Sequence, residues 1–348
     1  MKIKKVCILG HFGFGENLLN GQTVKTKIIA AELEKRFGKE EVRSIDTKGG
    51  IKTLVCLPFI LLSALKNHEN IIILPAQNGV RIIAPTLVFL NTFFGRKLHY
   101  AVIGGWLTEL IKNKSFLRNR LKRFDNIYPE TSSMKKELEG YGFNNVEVIP
   151  NCKPLEILCE EELVYSEKEP FKLCTFSRVM KEKGIEEAVF AVKTINEKSG
   201  RRVFTLDIFG QIDDSQTEWF DQLKTTFPDY VKYAGPVPYD KSVEVIKDYF
   251  AVVFPTKFFT EGIPGTIIDA YAAGVPVITS LWKNHKDVFF EGKTGFGYEF
   301  GNQEEFICLL EDVAQNPDKL NSLKKTCLEK AILFTPEKAI TGLFEKLK

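Results

Sequence analysis

The chain has 348 residues, of which 44% are apolar and 27% are charged. This length and composition are typical of a globular protein of two domains, and they exclude a disordered or fibrous chain. The net charge of +3 is unevenly distributed: residues 1–150 contain 23 Lys and Arg against 13 Asp and Glu, a balance of +10, and the remainder contains 25 against 32, a balance of −7.

Apolar runs alternate with amphipathic stretches along the first half of the chain. The predicted strands are Lys5–Leu9, Val42–Ile45, Asn70–Leu74, Lys97–Val102, Asn126–Tyr128 and Val146–Ile149. The predicted helices are Thr23–Phe37, Lys52–Leu65, Val80–Phe93, Trp106–Lys112, Phe116–Phe124 and Ser132–Tyr141. Strands that alternate with helices indicate βαβ units and a parallel sheet covered on both faces.

A linker is predicted at Ile149–Pro154, where two prolines follow a strand, and the alternation then restarts. The predicted strands of the second half are Lys172–Phe176, Val203–Phe209, Val231–Ala234, Ala251–Phe254 and Val275–Thr279. The predicted helices are Glu182–Asn196, Gln216–Phe227, Lys241–Tyr249, Thr266–Ala273, Glu304–Ala314, Lys319–Ala331 and Pro336–Leu347.

The two alternating halves predict an α/β protein with two Rossmann-like, doubly wound domains that face each other across a cleft. We expect one domain over residues 1–152, a second over 153–335, and a C-terminal helix over 336–348 that packs back toward the first domain. Ligands bind beyond the carboxyl ends of the strands in open α/β sheets, so we expect the site in the cleft.

The cysteines and the apolar segments predict a cytoplasmic protein. The seven cysteines form no CxxC pair, which favours buried free thiols in a reducing compartment. The basic and apolar N-terminus is too short for a signal peptide, and the longest apolar stretch, Thr53–Leu65, contains Pro58 and is too short to span a bilayer.

The segment Glu261–Thr279 (EGIPGTIIDAYAAGVPVIT) predicts a ligand site. A glycine- and proline-containing loop opens onto a helix near Thr266, and the N–H groups and dipole of a helix start attract phosphate. Glu261 and Asp269 are placed to accept hydrogen bonds from sugar or ribose hydroxyls. The predicted donor-binding residues here are Gly262, Ile263, Pro264, Gly265, Thr266 and Asp269. The alternative is structural, with glycines in tight turns and Asp269 on the helix surface.

The segment Phe176–Ile185 (FSRVMKEKGI) follows the first strand of the second half, where such folds bind phosphate. Arg178 and Lys183 bracket the turn. A diphosphate leaving group requires positive charge, which Arg supplies as a planar fork and Lys as a point charge. The alternative is two surface cations before a helix.

Two glycine-containing turns in the first half are further candidates. The turn Gly10–Gly15 (GHFGFG) predicts donor contacts at Gly13 and Gly15, followed by acceptor or sugar contacts at Gln22 and Thr23. A plain glycine turn is the alternative. The glycine spacing of this turn is not the GxGxxG of a nicotinamide-cofactor site. Such a site also needs an acidic residue after the second strand, and Asp46 is the nearest one, so this function is weakly supported.

The second of these turns lies in His99–Trp106 (HYAVIGGW), at the carboxyl end of the predicted strand Lys97–Val102, where Gly104 and Gly105 permit close approach of a ligand. Trp106 could stack on a sugar ring, or could be a core residue. No metal site is predicted, because the sequence contains no HExxH, DxD or clustered His and Cys ligands.

The motifs of the second half resemble those of GT-B retaining glycosyltransferases of family 4 (glycosyl transferases group 1). EGIPGTIIDAYAAGVPVIT is similar to the family pattern E-G-x-P-x-x-x-x-E-A-x-A-x-G-x-P-V-I, and SRVMKEKG to S/G-R-L-x-x-x-K-G. Val148–Asn151 (VIPN) resembles the hinge, and Gly292–Gly295 (GKTG) a turn before the C-terminal helices. Asp269 stands where the family usually has Glu, and Ile-Gly-Gly-Trp stands where many members carry a histidine motif, so no catalytic histidine is assigned.

The resemblance implies a retaining, metal-independent glycosyltransferase without a cofactor, whose co-substrate is a nucleotide-sugar, with UDP-sugars favoured. It implies that Arg178 and Lys183 hold the donor diphosphate, Glu261 contacts the donor sugar, and position 269 binds the ribose. The implied transition state is oxocarbenium-like, with the acceptor attacking from the face of the leaving group. The first domain would bind a glycan or lipid-linked acceptor in cell-surface polysaccharide assembly.

The basic segment Leu110–Phe124 carries apolar residues at helical spacing and predicts contact with an anionic membrane surface, unless it is a solvated helix face. The protein would then be peripheral on the inner face of the cell membrane. Two other functions stay open: a sugar-nucleotide epimerase of the same fold and a non-catalytic nucleotide-sugar-binding module. A nucleic-acid partner is not expected, because no recognisable module is present.

Overall fold

A computed structural model describes residues 3–14, 21–47 and 50–347. The chain divides into two compact units. The first unit comprises Met1–Pro154 and Phe334–Lys348, and the second comprises Leu155–Leu333.

The first unit is built on a five-stranded parallel sheet. Its strands are β1 (Lys4–Gly10), β2 (Val42–Asp46), β3 (His68–Leu74), β4 (Lys97–Ala101) and β5 (Asn126–Tyr128), in the order β2-β1-β3-β4-β5. Residues Val6–Leu9 and Ile71–Leu74 are fully buried. These continuous apolar runs form the central strands because helices cover both faces of the sheet.

Helices cover the sheet of the first unit from two sides. They are α1 (Gly21–Phe37), α2 (Gly50–Asn67), α3 (Gln77–Asn91), α4 (Leu107–Lys112), α5 (Ser115–Leu121) and α6 (Ser132–Gly140). The buried residues of α2 to α6 share one apolar cluster with β3 and β4. The buried residues of α1 belong to a second cluster with β1 and residues 339–347.

The second unit contains a six-stranded parallel sheet of order β11-β10-β9-β6-β7-β8. Its strands are β6 (Phe171–Phe176), β7 (Phe204–Phe209), β8 (Val231–Gly235), β9 (Ala251–Phe254), β10 (Val277–Leu281) and β11 (Gly295–Glu299). Its helices are α7 (Ile185–Ser199), α8 (Thr217–Lys224), α9 (Ser242–Ile246), α10 (Gly265–Ala272), α11 (Gln303–Gln315), α12 (Asp318–Asn321) and α13 (Lys324–Ala331). Two last helices, α14 (Pro336–Ala339) and α15 (Thr341–Lys346), return to the first unit.

The predicted and observed strands differ in two places. Val146–Ile149 does not form a strand, because Val146 makes an isolated bridge to Ile127 rather than a continuous ladder. The strand β11 was not predicted, since its sequence GFGYE has two glycines and reads as a turn; pairing with β10 makes it a strand. Non-local pairing decides both cases.

Two long predicted helices are interrupted. Lys319–Ala331 is divided between α12 and α13, next to Asn321, whose side-chain amide donates to the Ser166 carbonyl over 2.9 Å. Pro336–Leu347 is divided at Ile340. Among the cysteines, which are all free, four are buried as expected, but Cys56, Cys159 and Cys308 are exposed. No helix in the described part of the chain is both long and apolar enough to cross a bilayer.

A buried lysine in the second unit generates a prediction about stability. Lys324 is fully buried, its ammonium donates to the Tyr249 carbonyl over 3.3 Å, and burial lowers its pKa from 10.5 to about 8. The charged form is therefore disfavoured in the folded state, by about 3 kcal/mol below pH 8. This penalty disappears as pH rises from about 8 to 10.5, since the unfolded chain retains its proton longer.

We expect the free energy of unfolding of Lys324→Met to lack the rise that the unsubstituted protein shows between about pH 8 and 10.5. Urea unfolding at several pH values measures this difference. Lys325→Met is the matched control, because Lys325 is exposed and pairs with Glu160, which raises its pKa. Identical pH slopes for Lys324→Met and the unsubstituted protein would contradict the assignment.

Candidate functional site

Two loops at the carboxyl end of the second unit's sheet carry the residues that the sequence singled out. The first loop follows β6 and contains Arg178 and a short turn at Lys181–Lys183 before α7. The second follows β9 and contains Glu261 before α10. Strands β6 and β9 are neighbours in the sheet, so their carboxyl ends bring the two loops together.

An ion pair joins the two loops. The Lys183 ammonium contacts the Glu261 carboxylate, and the two side chains are 18% and 17% exposed. The same ammonium lies 5.4 Å from the centre of the Phe254 ring. The Thr266 hydroxyl, one residue into α10, donates to the carbonyl of Phe176 at the end of β6. These contacts hold the start of α10 against the first loop.

The backbones of the two loops approach closely at Gly184. This glycine has φ of 73°, and a Cβ atom there would lie 1.9 Å from the carbonyl oxygen of Pro255. Only a residue without a side chain fits both the left-handed backbone and this distance. The motif KEKG therefore ends in glycine for a steric reason as well as a conformational one.

Further hydrogen bonds fix the position of Glu261. The Asn284 side-chain amide donates to the Glu261 carbonyl over 2.6 Å. The Thr256 hydroxyl lies 3.5 Å from the Glu261 carboxylate. Asn284 and Thr256 were not predicted, because neither lies in a recognisable sequence motif. Asn284 follows β10 and is 23 residues from Glu261 in the chain.

Arg178 is half-exposed and is held by a carboxylate from a third loop. Its guanidinium lies 3.2 Å from Asp213, which follows β7. Hydrogen bonds from the Ser215 hydroxyl and N–H, and then the Arg178 guanidinium, lower the pKa of Asp213. Asp213 was not singled out from the sequence, because its contact with Arg178 spans 35 residues.

The N-terminus of α10 completes the site. Gly262, Ile263 and Pro264 lead into the helix, whose first residue is Gly265, and Pro264 has the extended backbone of an N-cap. The first N–H groups of a helix have no partner within it, and its dipole favours an anion at this end. The first turn of α10 carries no acidic side chain to compete for these groups.

Asp269 lies on the buried side of α10, one turn after the loop. It is 3% exposed, and its Oδ1 accepts a hydrogen bond of 2.8 Å from the Ser242 hydroxyl of α9. Asp269 is therefore not a helix surface residue, which was the structural alternative. Its carboxylate packs between α10 and α9.

The glycine turn of the first unit is held by Asp46. The Asp46 carboxylate accepts hydrogen bonds from the N–H groups of Phe12 and Phe14, both over 3.1 Å. Gly13, between them, has a positive φ of 57°. Asp46, at the end of β2, therefore holds the backbone of the glycine turn, and Gly15 lies outside the described residues.

The other predicted residues of the first unit lie near the carboxyl ends of its strands. Gln22 donates to the Leu74 carbonyl over 3.4 Å, and Thr23 is fully buried. Gly104 and Gly105 precede Trp106, whose partly buried ring packs against the apolar cluster of α2 to α6. Trp106 thus has a core contact, as the alternative for it proposed.

The first unit also contains polar groups that the sequence did not indicate. Lys25 and Glu130 form an ion pair of 2.7 Å, with side chains 1% and 5% exposed, and Lys25 also donates to the Val102 carbonyl. The two residues are 105 positions apart, so no local pattern connects them. His99 is fully buried beside Tyr128 and Asn70, and burial lowers its pKa to about 4.

The basic segment 110–124 differs from its prediction as a membrane-binding helix. It forms parts of two short helices, α4 and α5. Its apolar residues at helical spacing face the core of the first unit: Leu110, Ile111, Leu117, Leu121 and Phe124 are all buried. Phe116 and several cations remain exposed.

The described residues contain no evident metal-binding site. Among residues 3–14, 21–47 and 50–347, no three His, Cys, Asp or Glu side chains form a group that could hold a metal ion. Positive charge at the candidate site comes from Arg178 and Lys183.

Comparison with known families gives a match in the second unit. Residues 162–329, within the second unit, match the family described as Glycosyl transferases group 1. The matched range contains Arg178, Lys183, Glu261 and the whole of α10. No curated protein matches the chain in sequence.

Solved structures resemble the chain over its whole length at low sequence identity. Alr3699/HepE from Anabaena, in complex with UDP and glucose, aligns with a TM-score of 0.73 and 13% identity over 99% of both chains. The complex of the same protein with UDP-glucose aligns with a TM-score of 0.72 and 13% identity over 98% of both chains. The lipopolysaccharide outer core galactosyltransferase WaaB aligns with a TM-score of 0.69 and 16% identity. The alignment covers 99% of this chain and 100% of the WaaB chain. The likeness confirms the predicted two-domain, Rossmann-like α/β fold.

The close approach at Gly184 can be tested by adding one methyl group. Placing alanine in the left-handed backbone region typically costs roughly 1 kcal/mol. We expect Gly184→Ala to destabilise the second unit by more than this, because the Pro255 carbonyl must also move. Gly200→Ala, at the other end of α7, is the matched control, since it has φ of 62° with open space around it. Equal melting temperatures for the two variants would show that the loops are not in contact.

Proposed function

We propose that the protein is a glycosyltransferase that uses a nucleotide-sugar as donor, with a UDP-sugar favoured. The observation that carries this proposal is the Lys183–Glu261 ion pair beside the start of α10. It combines a cation for phosphate, a carboxylate for hydroxyl groups and a helix N-terminus in one place. The domain match over residues 162–329 and the UDP and glucose bound to HepE support it.

We assign the donor diphosphate to Arg178, Lys183 and the backbone of Gly262–Thr266. The Arg178 guanidinium offers paired N–H groups, and Lys183 offers a point charge. A diphosphate would compete with the carboxylates that hold these cations, because it presents more negative charge and more acceptor oxygens. Glu261, released from Lys183, would then accept hydrogen bonds from the sugar hydroxyls.

The ribose is assigned to Asp269. Its Oδ1 accepts a hydrogen bond from Ser242, and because a carboxylate can accept several hydrogen bonds, we assign it a ribose hydroxyl as well. Asp is shorter by one methylene than the Glu that the family usually has here. The Ser242 hydroxyl donates to this carboxylate and fixes its orientation, which in this proposal offsets the shorter side chain.

The reaction is proposed to retain the anomeric configuration and to need no metal. The bond between the anomeric carbon and the phosphate oxygen breaks with its electrons leaving on the diphosphate, and the acceptor oxygen attacks from the same face. The departing phosphate oxygen is then close enough to take the acceptor proton. Arg178, Lys183 and the dipole of α10 stabilise the negative charge that develops on the leaving group.

The first unit is assigned the acceptor, a glycan or a lipid-linked sugar in cell-surface polysaccharide assembly, at the inner face of the cell membrane. Gln22 and the run Gly104–Trp106 are the proposed contacts, because they follow the carboxyl ends of strands. Thr23, which the sequence also indicated, is fully buried and is not assigned a contact. Segment 110–124 contributes exposed cations that suit an anionic surface.

A ligand screen tests the donor. We expect UDP and one UDP-sugar to raise the melting temperature, because a ligand at one hundred times its Kd adds about 2.7 kcal/mol of stability. GDP, ADP and CMP are the comparison ligands. Stabilisation should persist in EDTA. If no nucleotide stabilises the protein, the glycosyltransferase proposal fails, and stabilisation that disappears in EDTA would overturn metal independence alone.

A kinetic comparison tests the role of Lys183. Lys183→Met should lower kcat/KM by about two orders of magnitude, corresponding to about 3 kcal/mol of lost charge stabilisation on the leaving group. Lys181→Met is the matched control, since Lys181 lies in the same turn but its ammonium is 5.7 Å from the centre of the Trp219 ring. Turnover of UDP-sugar is measured by UDP release. Equal losses in both variants would indicate a general charge effect instead.

A further inference from the structure

An exposed apolar surface lies on the helical layer that covers one side of the first unit's sheet. We call it the aromatic face and define it by Val55 and Phe59 on α2, Ile82 and Phe89 on α3, Phe93 just beyond α3, and Phe116 on α5. All six side chains are exposed, with Phe59 at 74% and Phe93 at 75%. Helix α3 packs against both α2 and α5, so the three helices form one continuous layer.

The spacing of these residues places them on the outer side of each helix. Val55 and Phe59 are four residues apart, and Ile82, Phe89 and Phe93 are separated by seven and four, so each set forms a stripe. Other residues of the same helices pack into the core: Leu61 of α2, Leu87 of α3 and Leu121 of α5 are fully buried. The outer stripe is therefore apolar surface beyond what the core requires.

The charge of this layer selects its partner. The three helices contain 18, 15 and 7 residues, and none of these residues is Asp or Glu. Lys66 and Arg81 are exposed on α2 and α3, and the Arg120 guanidinium lies 5.1 Å from the centre of the Phe116 ring. Aromatic residues flanked by cations, without acidic side chains, match the apolar boundary and negative headgroups of a lipid surface.

We propose that the aromatic face docks the first unit on an anionic membrane. The surface extends over three folded helices and shares one of its six defining residues, Phe116, with the segment 110–124 that the sequence indicated. The other apolar residues of that segment are buried in the core. The aromatic side chains insert at the headgroup boundary, and Lys66 and Arg81 contact the lipid phosphates. The inference rests on the proposed function for its purpose, because a lipid-linked acceptor is held at a bilayer.

Vesicle co-sedimentation of the full chain tests the proposal. We expect binding to vesicles that contain phosphatidylglycerol, weaker binding at high salt, and little binding to phosphatidylcholine alone. Phe59→Ser with Phe93→Ser should reduce the partition coefficient by about tenfold or more, since two inserted aromatic rings are lost. Lys66→Gln with Arg81→Gln should weaken binding and flatten its salt dependence.

Phe190→Ser is the matched control, because Phe190 is 55% exposed on α7 of the second unit. It should bind vesicles like the unsubstituted protein, and melting curves show that each variant is folded. Absence of binding to anionic vesicles, or binding unchanged by the paired Phe substitutions, overturns the proposal. A dimer that these substitutions convert to a monomer, with no vesicle binding, assigns the face to a second copy of the chain instead.

Stabilisation by UDP, measured on the same preparations, separates the two proposals. Loss of vesicle binding with UDP stabilisation intact counts against the membrane surface alone. Vesicle binding without UDP stabilisation counts against the proposed glycosyltransferase alone.

Discussion

The Lys183–Glu261 ion pair is the contact on which the candidate site depends. Both side chains are less than one-fifth exposed, so either charge without its partner would be poorly solvated. The pair connects loops whose residues are 78 positions apart, and the missing side chain at Gly184 lets their backbones meet. The loops are thereby held in position before a ligand arrives, which lowers the entropy that binding must remove.

Each cation of the site is held by a carboxylate, Lys183 by Glu261 and Arg178 by Asp213. This arrangement pairs both cations with a carboxylate in the free protein. A diphosphate offers both cations a more highly charged partner, so its binding would exchange ion pairs and would not require new positive charge. The exchange would also release Glu261 beside the start of α10, where a sugar attached to the diphosphate would lie. In the proposed function, binding and positioning of the donor would therefore be coupled through the same residues.

The two units differ in the chemistry that they present. The first unit has a balance of +10 over residues 1–150, a buried Lys25–Glu130 pair near the carboxyl ends of its strands, and the aromatic face on its helical layer. The remainder of the chain has a balance of −7, and its cations at the site are individually paired. A basic, aromatic surface on one unit and a compact phosphate-type site on the other suit an enzyme whose donor is soluble and whose acceptor is held at an anionic boundary.

The sequence by itself determined the α/β architecture, because buried parallel strands such as Ile71–Leu74 are continuous apolar runs and the helices between them are amphipathic. It also singled out Lys183 and Glu261 by residue type and by their place after strands. The strand β11, the pairing of Arg178 with Asp213 and the burial of Asp269 against Ser242 were decided by the tertiary structure, since each depends on residues that are distant in the chain. The same holds for the aromatic face: Phe59 lies in an apolar run like the core residues around it, and only the packing of α2 against the sheet determines which side of that run meets solvent.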